Sequence, residues 1–209
     1  METDTPPALK ARKKPRQARA QVTMEAIFEA TIQVLLREGI HQLTTTRVAV
    51  RAGVSVGTMY QYFPNKQALI YALNERYLEM LAEKIEATCR AQNGAPLSDM
   101  VEALVQTYWQ AKTERADVTR ALYRSVVEMD NDALVHAFAA RVNLATTAML
   151  ASTSDAAITD LEMTNLTLVT VIFGTIRNAF ERDLDPVEGE DLCRQLVIMC
   201  QAYVRAIHT

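Results

Sequence analysis

Four residues near position 60 carry groups better suited to recognition than to packing. Val56, Gly57 and Thr58 stand directly behind Ser55 and offer methyls, a bare stretch of backbone and a hydroxyl, while Gln61 adds a carboxamide. A glutamine amide matches the paired donor and acceptor on an adenine edge. Amide groups at a helix N-terminus favour phosphate oxygens. The chemistry on offer is non-covalent reading of a nucleic-acid groove.

Covalent chemistry has no comparable candidates. His41, His136 and His208 fall into no spacing that suggests a metal site or a triad, and no glycine-rich phosphate loop is present. Nothing gathers a nucleophile with a base, so neither catalysis nor a cofactor is expected. Cys89, Cys193 and Cys200 are sparse and odd in number. Cys193 and Cys200 share a helix face and read as buried packing side chains ahead of a redox pair.

Local punctuation sets the elements that must hold the reading residues. Thr45 is expected to cap one short helix, Gly53 to supply the permissive backbone past its end, and Ser55 to cap the next. Pro64 stops that second helix near Phe63, and Asn65 restarts the chain as a third. Met59 and Phe63 then point inward with Val48, Ala49, Ala52 and Val54, leaving Tyr60, Gln61 and Tyr62 at the rim. Upstream, Met24, Ile27, Phe28, Thr31, Val34 and Leu35 give helical periodicity from Val22 to Glu38, ended by Gly39. A helix-turn-helix meets all these signals, and so does a plain helical hairpin on another all-α protein.

The residues themselves carry a resemblance. Thr45-Thr46, Val48-Ala49, Ala52-Gly53-Val54-Ser55, Gly57-Thr58, Tyr60, Tyr62-Phe63, Lys66 and Leu69, with Ile27, Ala30, Leu35 and Gly39 before them, are similar to the DNA-binding domain of the tetracycline-repressor-like (TetR) family. Val48, Met59, Tyr62 and Gln67 are mild departures from its pattern. The resemblance covers roughly residues 20 to 70 and implies a ligand-responsive transcriptional regulator, most simply a repressor that leaves a palindromic operator when a small apolar or amphipathic molecule binds. It implies Thr45, Thr46, Tyr60, Tyr62 and Lys66 on phosphates, and Val56, Gly57, Thr58 and Gln61 at base edges beside the Ser55 cap, with Arg47 in either role. A sequence-indifferent architectural DNA binder is the alternative.

Charge is divided along the chain in the same sense. Residues 1–66 hold 10 Lys and Arg against 5 Asp and Glu, whereas the remainder holds 12 against 20. A basic head on an acidic body is expected to engage DNA through the head. Residues 1–19, with Pro6, Pro7 and Pro15 among six cations, read as a mobile basic arm, either laid along DNA or merely solvated. The expected domains are thus the arm 1–19, a helix-turn-helix domain 20–66 and a helical body 67–209. No unbroken apolar run suggests a membrane span and no signal peptide is visible, so a cytoplasmic location is expected.

The body reads as helices throughout. A bridging helix from Asn65 to about Ala87 precedes five more, roughly 98–113, 117–129, 131–151, 160–182 and 188–207, giving an all-α fold of about nine helices. The last two are apolar on more than one face. Leu166, Val169, Phe173, Ile176 and Phe180 form one stripe, and Leu168, Ile172, Thr175 and Ala179 another. One face suits the core and the other a partner or a second internal contact; the resemblance implies a homodimer closed by this helix pair from each subunit. It also implies a small-molecule effector in the body, for which Tyr77, Trp109, Tyr123, His136 and Phe173 are the candidate contacts. Met80, Tyr108, Met129 and Phe138 are further possible lining. Trp109 and His136 stand out because a buried indole or imidazole needs a polar partner that a ligand would supply.

Overall fold

The computed structural model describes residues 18–126, 131–182 and 184–207; most of the expected basic arm and Met129 lie outside them. Among the described residues the regular structure is helical. It runs α1 (Ala18–Glu38), α2 (Thr45–Ala52), α3 (Val56–Tyr62), α4 (Lys66–Ala91), α5 (Leu97–Thr113), α6 (Ala116–Val126), α7 (Asp132–Ala151), α8 (Leu161–Glu181) and α9 (Pro186–Ala206). The chain forms two compact units, residues up to Leu78 with Asp117–Val135, and Glu79–Ala116 with His136–Thr209. The boundary expected after Lys66 falls inside the first unit. The reason is apolar: α4 gives Leu69, Ile70 and Leu73, and α6 gives Val118 and Leu122, to the core that also holds Ile27, Val34, Val48, Met59 and Phe63.

The first unit owes its short helices to local caps. Gly39 and Gly53 lie in the left-handed region at φ 76° and 67°, where a side chain would be strained. Gly53 closes α2, its N–H reaching the carbonyls of Ala49 and Val50. Ser55 Oγ accepts from Thr58 N at 2.9 Å to start α3, and Asn65 Oδ1 accepts from Ala68 N at 2.8 Å to start α4. One cap differs from expectation. Thr44, extended at φ −132° and ψ 151°, caps α2 by accepting from Arg47 N, and Thr45 is the first helical residue, 7% exposed. Val48 and Ala49 must face the core, and position 45 shares their helix face, so burial selects Thr44 from the threonine run.

In the second unit α5 packs on both α8 and α9. Gly189 of α9 makes room for Trp109 of α5, and the Trp109 indole also tilts against Phe180 of α8 with ring centres 6.2 Å apart. Pro96 offers α5 no side-chain cap. Asp155, from the turn after α7, supplies one by accepting from Leu97 N at 2.9 Å, while Ser152 Oγ accepts from Gly94 N at 3.0 Å. α7 joins its neighbours through polar contacts. Arg141 donates twice to Glu86 of α4 at 2.9 Å, and Asn165 of α8 donates to Asn143 Oδ1 at 2.7 Å. Among the described residues α7 is the one helix long and apolar enough to cross a membrane by length and composition.

The two stripes expected on α8 do not run straight. Leu168, Ile172 and Ala179 are buried as one face, but the other is split, with Leu166 53% exposed while Ile176 and Phe180 are buried. Residues spaced at 3.5 drift around a helix that turns every 3.6, so one line of apolar residues passes from surface to core along the helix. Met163 and Leu166 on α8, and Ile198 and Met199 on α9, remain exposed. On α9, Cys193, Leu196, Cys200 and Val204 face inward. Burial pushes both thiols up to about 11, so at neutral pH they stay protonated and serve as small apolar side chains.

Candidate nucleic-acid interface and effector residues

α3 buries one side and bares the other. Met59 is fully buried against the core, while Val56, Gly57, Tyr60 and Gln61 are exposed on a helix of two turns. Gly57 is the informative position. Its backbone is not in the left-handed region, and the nearest atom to a Cβ built there is Ser55 Oγ at 3.7 Å. A glycine inside a helix costs about 1 kcal/mol relative to alanine, and nothing within the chain asks for it. Its absence of a side chain leaves open space in front of α3, as close approach by an outside surface requires. Thr58 is half-buried, and its hydroxyl is shared with Ser55 at 2.8 Å.

The structure brings α2 and α3 together around this face but spreads the expected phosphate contacts. Thr46 is exposed. Thr45 and Tyr62 are buried, at 7% and 8% exposure, and Tyr62 rests against Phe63, so both belong to the core rather than the rim expected for Tyr62. The cations are engaged within the unit. Arg47 pairs with Glu38 and donates to the Gln42 carbonyl at 3.0 Å, and Arg51 donates to Gln33 at 2.7 Å. Lys66 Nζ donates to the Ile40 carbonyl at 3.2 Å. A cation at the first position of α4 works against the helix dipole, and the Ile40 carbonyl offsets that while tying α4 to the α1–α2 loop. Thr44 was missed as a contributor, although the threonine run was its signal.

The candidate effector residues are divided between the two units. Tyr77 and Tyr123 belong to the first unit, and Trp109, His136 and Phe173 to the second. Tyr77 Oη lies 2.8 Å from Thr119 Oγ1, and burial pushes its phenol well above the usual range. Trp109 Nε1 donates to Glu190 Oε1 at 3.0 Å, so its polar partner comes from α9 and no ligand is needed to satisfy it. His136 is exposed on α7, which removes the reason for singling it out. Phe173 stacks on Tyr108 with ring centres 4.1 Å apart. A groove of about 650 Å³ beside Lys84, Thr88, Thr107 and Glu114 includes none of the five. No cluster of metal-ligating side chains occurs among the described residues.

Comparison with known proteins places these elements in a family. Residues 27–73 match the family described as bacterial regulatory proteins, tetR family, and residues 96–203 match the tetracyclin repressor-like C-terminal domain. The chain is 34% identical over 130 residues to the nucleoid occlusion factor SlmA of Haemophilus ducreyi (strain 35000HP / ATCC 700724), covering 62% of each chain. It is 33% identical over 60 residues to the fatty acid metabolism regulator protein of Bacillus subtilis (strain 168), which covers 29% of this chain and 31% of that one. The chain thus spans about three fifths of the length of the first of these relatives and under a third of the second. A TetR transcription regulator from Haloarcula marismortui ATCC 43049 superposes with a TM-score of 0.70 at 20% identity, over 90% of this chain and all of that one. With the helix-turn-helix at one end and the C-terminal match spanning more than half of its length, this chain belongs to the tetracycline-repressor-like (TetR) family of bacterial regulatory proteins.

Proposed function

We propose that this protein is a homodimeric, ligand-responsive transcriptional repressor that acts in the cytoplasm. It binds a palindromic operator in double-stranded DNA and is released by a small apolar or amphipathic molecule. The open face of α3 carries the reading, because Gly57 is exposed and unhindered at a position where the chain gains nothing from glycine. Tyr60 and Gln61, three and four residues on, share that face of α3, and Thr46 of α2 is exposed. In this reading they position α3 in the major groove, with Val56, Gly57 and Gln61 at base edges. The exposed apolar residues of α8 and α9, with Gly174 bare on the same exposed side of α8, support pairing with a second copy.

Sequencing of fragments selected from random DNA tests the proposal. A short inverted repeat, with half-sites about 34–36 Å apart or a multiple of that, is the expected product. No enriched repeat would overturn it. Operator affinity measured by anisotropy should fall when effector binds, and effector affinity should fall by the same factor when operator binds.

The architectural alternative draws support from the similarity to a nucleoid occlusion factor. Footprinting separates the two, since a repressor protects one short palindrome and an architectural protein protects no particular sequence.

A further inference from the structure

The seam between α1 and α2 gathers charge of one sign. Residues 33–53 hold Arg37, Arg47 and Arg51 against a single acid, Glu38, and all of these are exposed. Two bonds join the helices there. Arg51 of α2 donates from Nε to Gln33 of α1 at 2.7 Å, and Arg47, one turn earlier on α2, pairs with Glu38 of α1. Arg37, one turn after Gln33 and next to Glu38, stands on the stretch of α1 between these two anchors. The guanidinium groups therefore line one strip along two packed helices.

The bonds order this strip more than they discharge it. Gln33 is a neutral acceptor and takes one of the five N–H donors of a guanidinium, so Arg51 keeps its charge and most of its donors. Arg47 is held by the Gln42 carbonyl at 3.0 Å as well as by Glu38. The Arg37 side chain makes no hydrogen bond or ion pair among the described residues. Exposed cations set side by side repel, so the fold gains little from them. A row of anions gains more. Guanidinium forks match phosphate oxygens, and side chains already fixed by their neighbours lose less freedom on binding.

We infer that Arg37, Arg47 and Arg51 form a strip that holds phosphates of double-stranded DNA in addition to the contacts made by α3, and that Glu38 limits its pull by neutralising one of the three. Such a strip reads no sequence; it contributes affinity and fixes register. This rests on the DNA-binding reading proposed above and adds contacts outside α3. Of the three cations, Arg47 alone carries a DNA-contact expectation from the sequence.

Anisotropy titrations of the full chain on a fluorescein-labelled random-sequence duplex, repeated from about 50 to 200 mM salt, test the inference. Arg37→Gln is the cleanest variant, because that side chain holds nothing in the described fold and the melting temperature should match wild type. Losing one phosphate contact lowers the salt slope by about 0.9, so over this roughly four-fold range the fall in affinity should be about 3.5-fold smaller. Arg51→Gln should do the same. Glu38→Gln should act in the opposite sense and tighten binding to every duplex several-fold, which a merely structural role for its pair with Arg47 would not produce. A salt dependence unchanged in Arg37→Gln or Arg51→Gln, or an affinity that does not rise in Glu38→Gln, would overturn the strip. Wild type that binds no duplex sinks the DNA-binding reading itself, whereas wild-type binding with a salt dependence unaltered in the variants removes the strip and leaves that reading in place.

Discussion

A β-carbon placed on Gly189 would lie 2.8 Å from Cη2 of the Trp109 indole and 3.0 Å from Cζ2. The indole cannot swing away freely, since its Nε1 is held by Glu190 and its ring by Phe180. Gly189→Ala is therefore expected to destabilise the protein by about 1–3 kcal/mol, the usual cost of overpacking. Thermal unfolding measures this, and emission from the single tryptophan should change with it. A melting temperature at or above wild type would mean that α5 and α9 do not meet this closely.

Gly57→Ala should separate folding from recognition. The site has room for a methyl and the backbone is ordinary helix, so stability should rise by roughly 0.5–1 kcal/mol. Operator affinity should nevertheless fall if α3 docks as proposed, because the methyl projects into the open space in front of α3. Melting curves and anisotropy on the same preparation check both halves, and unchanged DNA affinity would exclude close approach at α3.

Gln61→Ala and Lys66→Ala are expected to differ in kind. Loss of the exposed Gln61 amide should relax base preference at one operator position by about 1–3 kcal/mol. Lys66 holds the Ile40 carbonyl as well as carrying a charge, so its removal should loosen the head by about 1 kcal/mol. It should also reduce the salt dependence of binding to every sequence by about one unit of slope. If both variants shift affinity equally across all sequences, Gln61 does not read bases.

Lys112 should make stability depend on pH in an uncommon direction. Its folded value is lowered to about 7 from an ordinary 10.5, with burial as the first cause and Arg177 as the second. Between those values the unfolded chain binds the extra proton, so stability rises as pH increases from about 7 towards 10. Below 7 both states are protonated and the penalty stays in full. Lys112→Met should flatten this rise, because it removes the group that titrates. Denaturant titrations of both proteins at pH 7 and pH 9 decide it, and parallel pH dependence would show that Lys112 titrates normally.

The sequence announced its helices more clearly than its contacts. Gly39, Gly53, Ser55 and Asn65 act within a few residues of themselves, so their effects were readable where they stand. Thr44 and Thr45 offered the same cap, and only burial of the face shared with Val48 chose between them. Lys66 and Arg47 looked like free cations because their acceptors, the Ile40 and Gln42 carbonyls, are backbone atoms that composition does not reveal. Trp109 was correctly seen to need a partner, but Glu190 lies 81 positions away. Lys112 falls four residues after Tyr108, on the helix face that buries Val101, Leu104 and Val105, but its type reads as a surface cation.

The capping of α5 by Asp155 carries a kinetic consequence. The Pro96 carbonyl closes the first turn of this helix locally, but its first amide is satisfied by a residue 58 positions later. That one cap must wait until the chain has closed a long loop and docked the turn after α7. Asp155→Ala should consequently accelerate unfolding while leaving the refolding rate nearly unchanged, as expected for a contact made after the rate-limiting step. Stopped-flow chevrons would show the change on the unfolding limb alone, and α5 would be a helix whose first amide is fixed only after its body has formed.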